Sequence, residues 1–165
     1  WAEPNVMFFD IHRAAPFYPG SGHLEEVGAG LGEGTTINVP LPAGAGDEAY
    51  LKAFRDILAP AAAWFKPDII LVSAGFDPHW HDLALNVSYE GFGALTGFMQ
   101  QLAEQHCEGR LVFVLEGGYN LESLANGTRA VLAVLAGNTV PVPDTWGIAE
   151  VQAAADFHRT AFDSE

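Results

Sequence analysis

Four short apolar runs punctuate the chain, each bounded by glycine, proline or charge: Val6 to Phe9, Thr36 to Val39, Ile69 to Ser73 and Leu111 to Leu115. Branched and aromatic residues dominate them, which predicts β-strands. Their apolarity is continuous rather than alternating, so the strands are expected to be covered on both faces, as in a parallel sheet. Between them the period becomes helical. From Asp47, residues Tyr50, Leu51, Phe54, Ile57, Leu58 and Ala61 share one face, with Asp47 as the predicted N-cap and Pro67 blocking continuation. From Ser88 the stripe is Phe92, Leu95, Met99 and Leu102, with Glu90 favourable in the first turn. A third helix is predicted from Asn120 to about Ala136, stopping at Gly137, and a weaker fourth from Asp144 to about Phe162. Strand and helix alternate, which predicts an α/β fold: a parallel sheet flanked by helices.

The segment from Pro16 to Gly46 interrupts this alternation with Pro19, Gly20, Gly22, Gly28, Gly30, Gly32 and Gly34. Such length without apolar periodicity marks a functional loop or disorder, and the embedded Phe17 and Tyr18 favour an ordered loop.

Composition narrows the class. With 165 residues, 49% hydrophobic, the chain can bury a core as one domain without disulfides. It contains no apolar run long enough to span a membrane and no secretory signal pattern, so a cytoplasmic protein is expected. It opens at Trp1 rather than Met, which reads as a missing N-terminal part, or equally as removal of a start or a tag. The net charge of −14 argues against nucleic-acid binding. It would suit a cationic substrate such as a lysine-rich tail or a polyamine, or simply serve solubility. The single cysteine, Cys107, excludes an internal disulfide and a Cys-rich metal cluster; in its helical setting it reads as a packed or solvent-edge thiol.

In open α/β sheets, ligands gather beyond the carboxyl ends of the strands. The third strand runs into Gly75-Phe76-Asp77-Pro78-His79, and the fourth into Glu116-Gly117-Gly118-Tyr119-Asn120. Asp77 is a hard oxygen donor where a cation could sit, or a loop-bracing aspartate. Tyr119 follows two glycines, so its phenol can either project into a cleft, as a donor to a developing oxyanion, or pack as a core residue.

Taken together, the strings LVSAGFD, LVFVLEGGYN and PFYPGSG…GEGTTINVPLPAG resemble the corresponding segments of the histone deacetylase and acetylpolyamine amidohydrolase family, especially its class II-like and bacterial members. The match runs from about residue 6 to 137 and keeps family order. The resemblance implies the C-terminal portion of a single deacetylase domain, the second half of an arginase/deacetylase-type fold, with residues 138–165 as a helical extension. It implies that Asp77 is one of three protein ligands to a catalytic zinc, and that Tyr119 polarises the acetyl carbonyl. Animal relatives with histidine in place of that tyrosine are poor lysine deacetylases, so Tyr119 favours an active lineage. The resemblance also makes Phe17 or Tyr18 a wall of the acyl-lysine channel and Gly117 and Gly118 its floor, approached closely by backbone. Zinc with three protein ligands keeps a position open for water and the substrate carbonyl.

The chain departs from the family pattern in its histidines. None of the six is adjacent to another, so the family's catalytic pair is absent. Asp10-Ile11-His12 imitates the family's remaining ligand pair, but its continuation into Arg13-Ala14-Ala15-Pro16-Phe17-Tyr18 aligns it with the next strand instead. In that alignment Asp10 and Ile11 border a structural monovalent-cation site. His79 and His81 are expected at the rim of the substrate mouth, ahead of an aspartate that aligns with Asp82. His106 and His158 are expected to be solvated. The expected function is therefore part of a zinc-dependent hydrolase of acetylated lysine or acetylpolyamine, inactive without the missing N-terminal part of the domain. Two rivals are a non-catalytic acyl-lysine or polyamine binding module using Tyr18 and Tyr119, and a distinct metallohydrolase using Asp10, His12, Asp77 and His79.

Overall fold

A computed structural model describes residues 1–83, 85–141 and 148–162. Strand β1 (Phe8–Arg13) pairs in parallel with β2 (Thr36–Leu41), and β3 (Ile70–Ala74) pairs in parallel with β4 (Leu111–Leu115). All four predicted strands exist and the pairing is parallel as expected. β1 begins and ends later than its apolar run, because pairing continues through His12 opposite Pro40 and Arg13 opposite Leu41.

Helix α1 (Asp47–Ala53) passes through a π turn (Phe54–Leu58) into α2 (Ala59–Phe65). Pro60 near the start of α2 has no N–H for the preceding turn, and the helix widens just ahead of it. Lys66 in a left-handed conformation, followed by Pro67, ends the run. Asp47 is not the N-cap. Gly46 holds that position, and the Asp47 carboxylate accepts from the Ser88 N–H (2.7 Å) and hydroxyl (2.6 Å), tying α1 to the start of α3 (Tyr89–Cys107). Ser88 caps α3 by accepting the Gly91 N–H at 2.9 Å. Helix α4 (Leu121–Leu135) starts at the predicted Asn120 cap, which accepts the Ser123 N–H at 3.0 Å. Helix α5 (Ala149–Phe162) begins beyond the predicted start at Asp144, which lies outside the described residues.

The main core joins Ile37, Val39 and Leu41 of β2 to Ala49, Ala53 and Ile57, and to Val151, Ala154 and Ala155 of α5. Thus α5 packs on the sheet as part of the core. His158 is buried there, correcting its expected solvation. Its Nε2–H donates to the Asn38 carbonyl (3.1 Å), and burial lowers its pKa. Cys107 is a buried free thiol.

The expectation that every strand is covered on both faces fails for β3 and β4. Alternate residues are bare: Leu71 is 67% exposed, Val112 44% and Val114 50%. No helix among the described residues is long and apolar enough to cross a membrane.

Candidate functional site

The carboxyl ends of β3 and β4 are stitched together by backbone. Glu116 N–H donates to the Ala74 carbonyl (3.1 Å), and Phe76 N–H donates to the Gly117 carbonyl (2.9 Å). Phe76 anchors this junction. It is buried edge-on against Phe92, with ring centroids 5.1 Å apart, and its ring lies directly on Gly127 of α4, where a Cβ would overlap it. The next residue, Asp77, turns its carboxylate back over Gly75 and Gly117. A Cβ at Gly75 would come within 2.7 Å of Asp77 Oδ1, and one at Gly117 would overlap the carboxylate. Gly118 has φ +132°, which disfavours any side chain there. The Gly-Gly pair is thus required by close approach and by backbone geometry, two residues before Tyr119.

Asp77 is half-buried. Burial raises its pKa, its own backbone N–H opposes the rise, and the charge of Asp82 adds to it. No basic side chain pairs with Asp77 among the described residues. A carboxylate drawn out of water beside a second carboxylate, with no cation of its own, fits one arm of a metal site. The rest of the ligand set is not found: no group of three or more His, Cys, Asp or Glu side chains gathers among the described residues. This removes the rival metallohydrolase built on Asp10, His12, Asp77 and His79.

His79 is not at the rim. It is 1% exposed, stacked on Tyr89 (4.4 Å between centroids, 10° between planes), with Nδ1 accepting the His81 N–H at 3.2 Å and lying 2.9 Å from Ser123 Oγ. Burial lowers its pKa, so it serves as a neutral brace between the Asp77 loop and α4. His81 is at the surface, stacked on Trp80. His12 pairs with Asp10 (Nδ1 to Oδ2, 2.7 Å), and that hydrogen bond raises its pKa. Nearby in charge, though not in hydrogen bonding, is the buried Tyr50 hydroxyl. It has no partner among the described residues, and burial, then Asp10 and Asp77, drive its ionisation far upward.

The Tyr119 side chain is 74% exposed and open to solvent. Its backbone is held: the Tyr119 and Asn120 N–H groups both donate to Asp82 Oδ2, at 2.7 and 2.8 Å. Asp82 is the residue that sequence reasoning noted without giving it work. The channel candidates lie on the loop after β1. Phe17 sits under the Arg13 guanidinium, 4.4 Å from its ring centroid, and Tyr18 is 86% exposed. No hydrogen bond, ion pair or ring contact joins either to Asp77 or Tyr119 among the described residues. Asp77, Gly117, Gly118 and Tyr119 are therefore brought together at one sheet edge, while Phe17 and Tyr18 are not joined to them.

The histone deacetylase domain model matches residues 1–135. The chain belongs to the histone deacetylase family. It is 48% identical over 128 residues to "Histone deacetylase 10, chloroplastic" of Oryza sativa subsp. japonica, covering 76% of this chain and 29% of that protein. It is 42% identical over 138 residues to a "Probable deacetylase" of Archaeoglobus fulgidus, covering 82% of this chain and 38% of that protein. Among solved structures it resembles the HDA15 HD domain with TM-score 0.82 and 34% identity, over 96% of this chain and 44% of that one. The deacetylase α/β fold is thus shared, and the chain spans less than half of each of these relatives.

Proposed function

We propose that this chain is the C-terminal portion of a zinc-dependent deacetylase acting on acetylated lysine side chains or acetylpolyamines. One observation carries the reading: the Asp77 carboxylate lies against Gly117, in the same turn that presents Tyr119. Asp77 supplies one metal ligand, and the Tyr119 hydroxyl donates to the oxygen of the acyl group as negative charge develops on it. Gly117 makes room for the Asp77 carboxylate, and Phe17 or Tyr18, on the loop after β1, would wall the approach of the acyl-lysine chain. Zinc, when bound, polarises the acyl carbonyl and lowers the pKa of attacking water.

The remaining ligands and the general base come from a preceding part of the same domain. The bare apolar face of β3 and β4 supports this, because Leu71, Val112 and Val114 form a surface suited to a covering layer. A cytoplasmic location, no nucleic-acid partner and a monovalent structural cation near Asp10 and Ile11 belong to the same reading.

A zinc titration and an assay on acetyl-lysine peptide and acetylated polyamine test the proposal with the isolated chain and with the full-length protein. The full-length protein is expected to hydrolyse one of these and the isolated chain neither. Robust turnover by the isolated chain would overturn the shared-site reading. A metal-independent affinity for acetyl-lysine without hydrolysis in either form would favour the binding module.

A further inference from the structure

The exposed Tyr119 phenol raises a physical question: what holds a side chain aimed when almost nothing touches it. Two glycines precede Tyr119, so the turn has little stiffness of its own. The contact that fixes it comes from Asp82, 37 residues earlier in the chain, whose Oδ2 accepts both the Tyr119 and the Asn120 N–H. Such charge-assisted pairs are short and strong. They are also distinct from the cap of α4, because Asn120 already performs that task through Ser123.

Asp82 is itself anchored. Its N–H donates to the His79 carbonyl (2.9 Å), and the Leu83 N–H donates to the Asp77 carbonyl (3.0 Å), which closes the loop that begins at Asp77. At its far side, Val87 N–H donates to the Pro78 carbonyl (3.1 Å), and the buried His79 ring reaches Ser123 of α4. One short loop therefore carries Asp77 at one end and grips the backbone of Tyr119 at the other.

We propose that Asp82 is a positioning residue that sets the Tyr119 hydroxyl relative to Asp77 by clamping the Tyr119 and Asn120 amides. The proposal rests on the reading of Tyr119 as the oxyanion donor. Asp82 touches no reacting atom. Its effect passes through Tyr119, so loss of the clamp should matter only while the Tyr119 hydroxyl is present.

The test uses the full-length protein with Asp82→Ala, Asp82→Asn, Tyr119→Phe and the Asp82→Ala/Tyr119→Phe double variant, measuring kcat and KM on acetyl-lysine peptide alongside amide hydrogen exchange. Asp82→Ala is expected to lower kcat about tenfold or more, as misplacement of a catalytic group does, with KM changed far less. Asp82→Asn keeps a neutral acceptor and should recover most of that loss. The double variant should be no slower than Tyr119→Phe alone. Exchange at Tyr119 and Asn120 should accelerate in Asp82→Ala while α3 is unchanged. Multiplying losses in the double variant, or unchanged exchange at the two amides, would overturn the clamp. If Tyr119→Phe matches the wild type while exchange still accelerates in Asp82→Ala, the oxyanion reading fails, and the catalytic role of Asp82 with it, leaving a structural contact.

Discussion

The two strand pairs of this molecule are built from similar residues and live in different surroundings. β2 is enclosed, with Ile37, Val39 and Leu41 fully buried between α1 and α5. β3 and β4 only partly bury alternate residues (Ile70, Val72, Leu111 and Phe113), against Met99 and Leu102 of α3 among others, and leave Leu71, Val112 and Val114 in solvent. Continuous apolar strands normally indicate two covered faces. β2 has its cover within the described residues, while its partner β1 is only part-buried, with Phe8 54% exposed, and β3 and β4 have one face covered. The same half-open pair carries Asp77 and Tyr119 at its carboxyl edge, so the bare face and the proposed site lie on the same two strands.

The comparison breaks most visibly under truncation. Ile57→Ala in the enclosed core should cost about 2–5 kcal/mol by chemical denaturation, from lost burial and the cavity left behind. Leu71→Ala on the bare face should stay within about 0.5 kcal/mol in the isolated chain. In the full-length protein Leu71→Ala should become clearly destabilising; equal, small effects in both forms would mean that nothing covers this face.

A smaller effect is expected on the open side. Gly127→Val places a side chain into the Phe76 ring and should cost about 1–3 kcal/mol through overpacking. Because Phe76 directly precedes Asp77, metal affinity of the full-length protein should fall with it. Retained affinity at reduced stability would separate Phe76 packing from the placement of Asp77.

The smallest effects are electrostatic and opposite in sign. The hydrogen bond to Asp10 raises the pKa of His12 above the ordinary histidine value of about 6.5. The folded state therefore binds the proton more tightly, and that contribution is full below the unfolded pKa and lost as pH rises through the folded one. Burial lowers the pKa of His158, so the folded state resists its protonation. That contribution is present above the unfolded pKa and lost as pH falls from there towards the folded one. NMR titration should place the His12 midpoint above that of His158, and Asp10→Asn should bring His12 down. Coincident midpoints would remove both assignments.

Much of this was legible in the sequence, for identifiable reasons. The strands and helices declared themselves through period, and Asn120 and Gly137 marked their helix ends through local chemistry. Asp77 and the Gly-Gly-Tyr turn were legible because each follows a strand end directly. Features set by distant partners were not. Asp47 looked like a cap, but its partner Ser88 lies 41 residues away. His79 looked like a rim residue, and its burial comes from Tyr89 and Ser123. Asp82 carried no local signal because its contacts lie across the sheet edge. The bare face was illegible for a different reason: continuous apolarity records a demand for cover and does not say where the cover is encoded.

The division of labour between Asp77 and Tyr119 is tested most directly by single substitutions in the full-length protein, with bound zinc and kcat measured on the same samples. Asp77→Asn is expected to lose the metal and activity together. Tyr119→Phe is expected to keep the metal and lose kcat by about 10²–10³, the usual effect of removing one oxyanion donor. Full metal content and full activity in both variants would contradict the account.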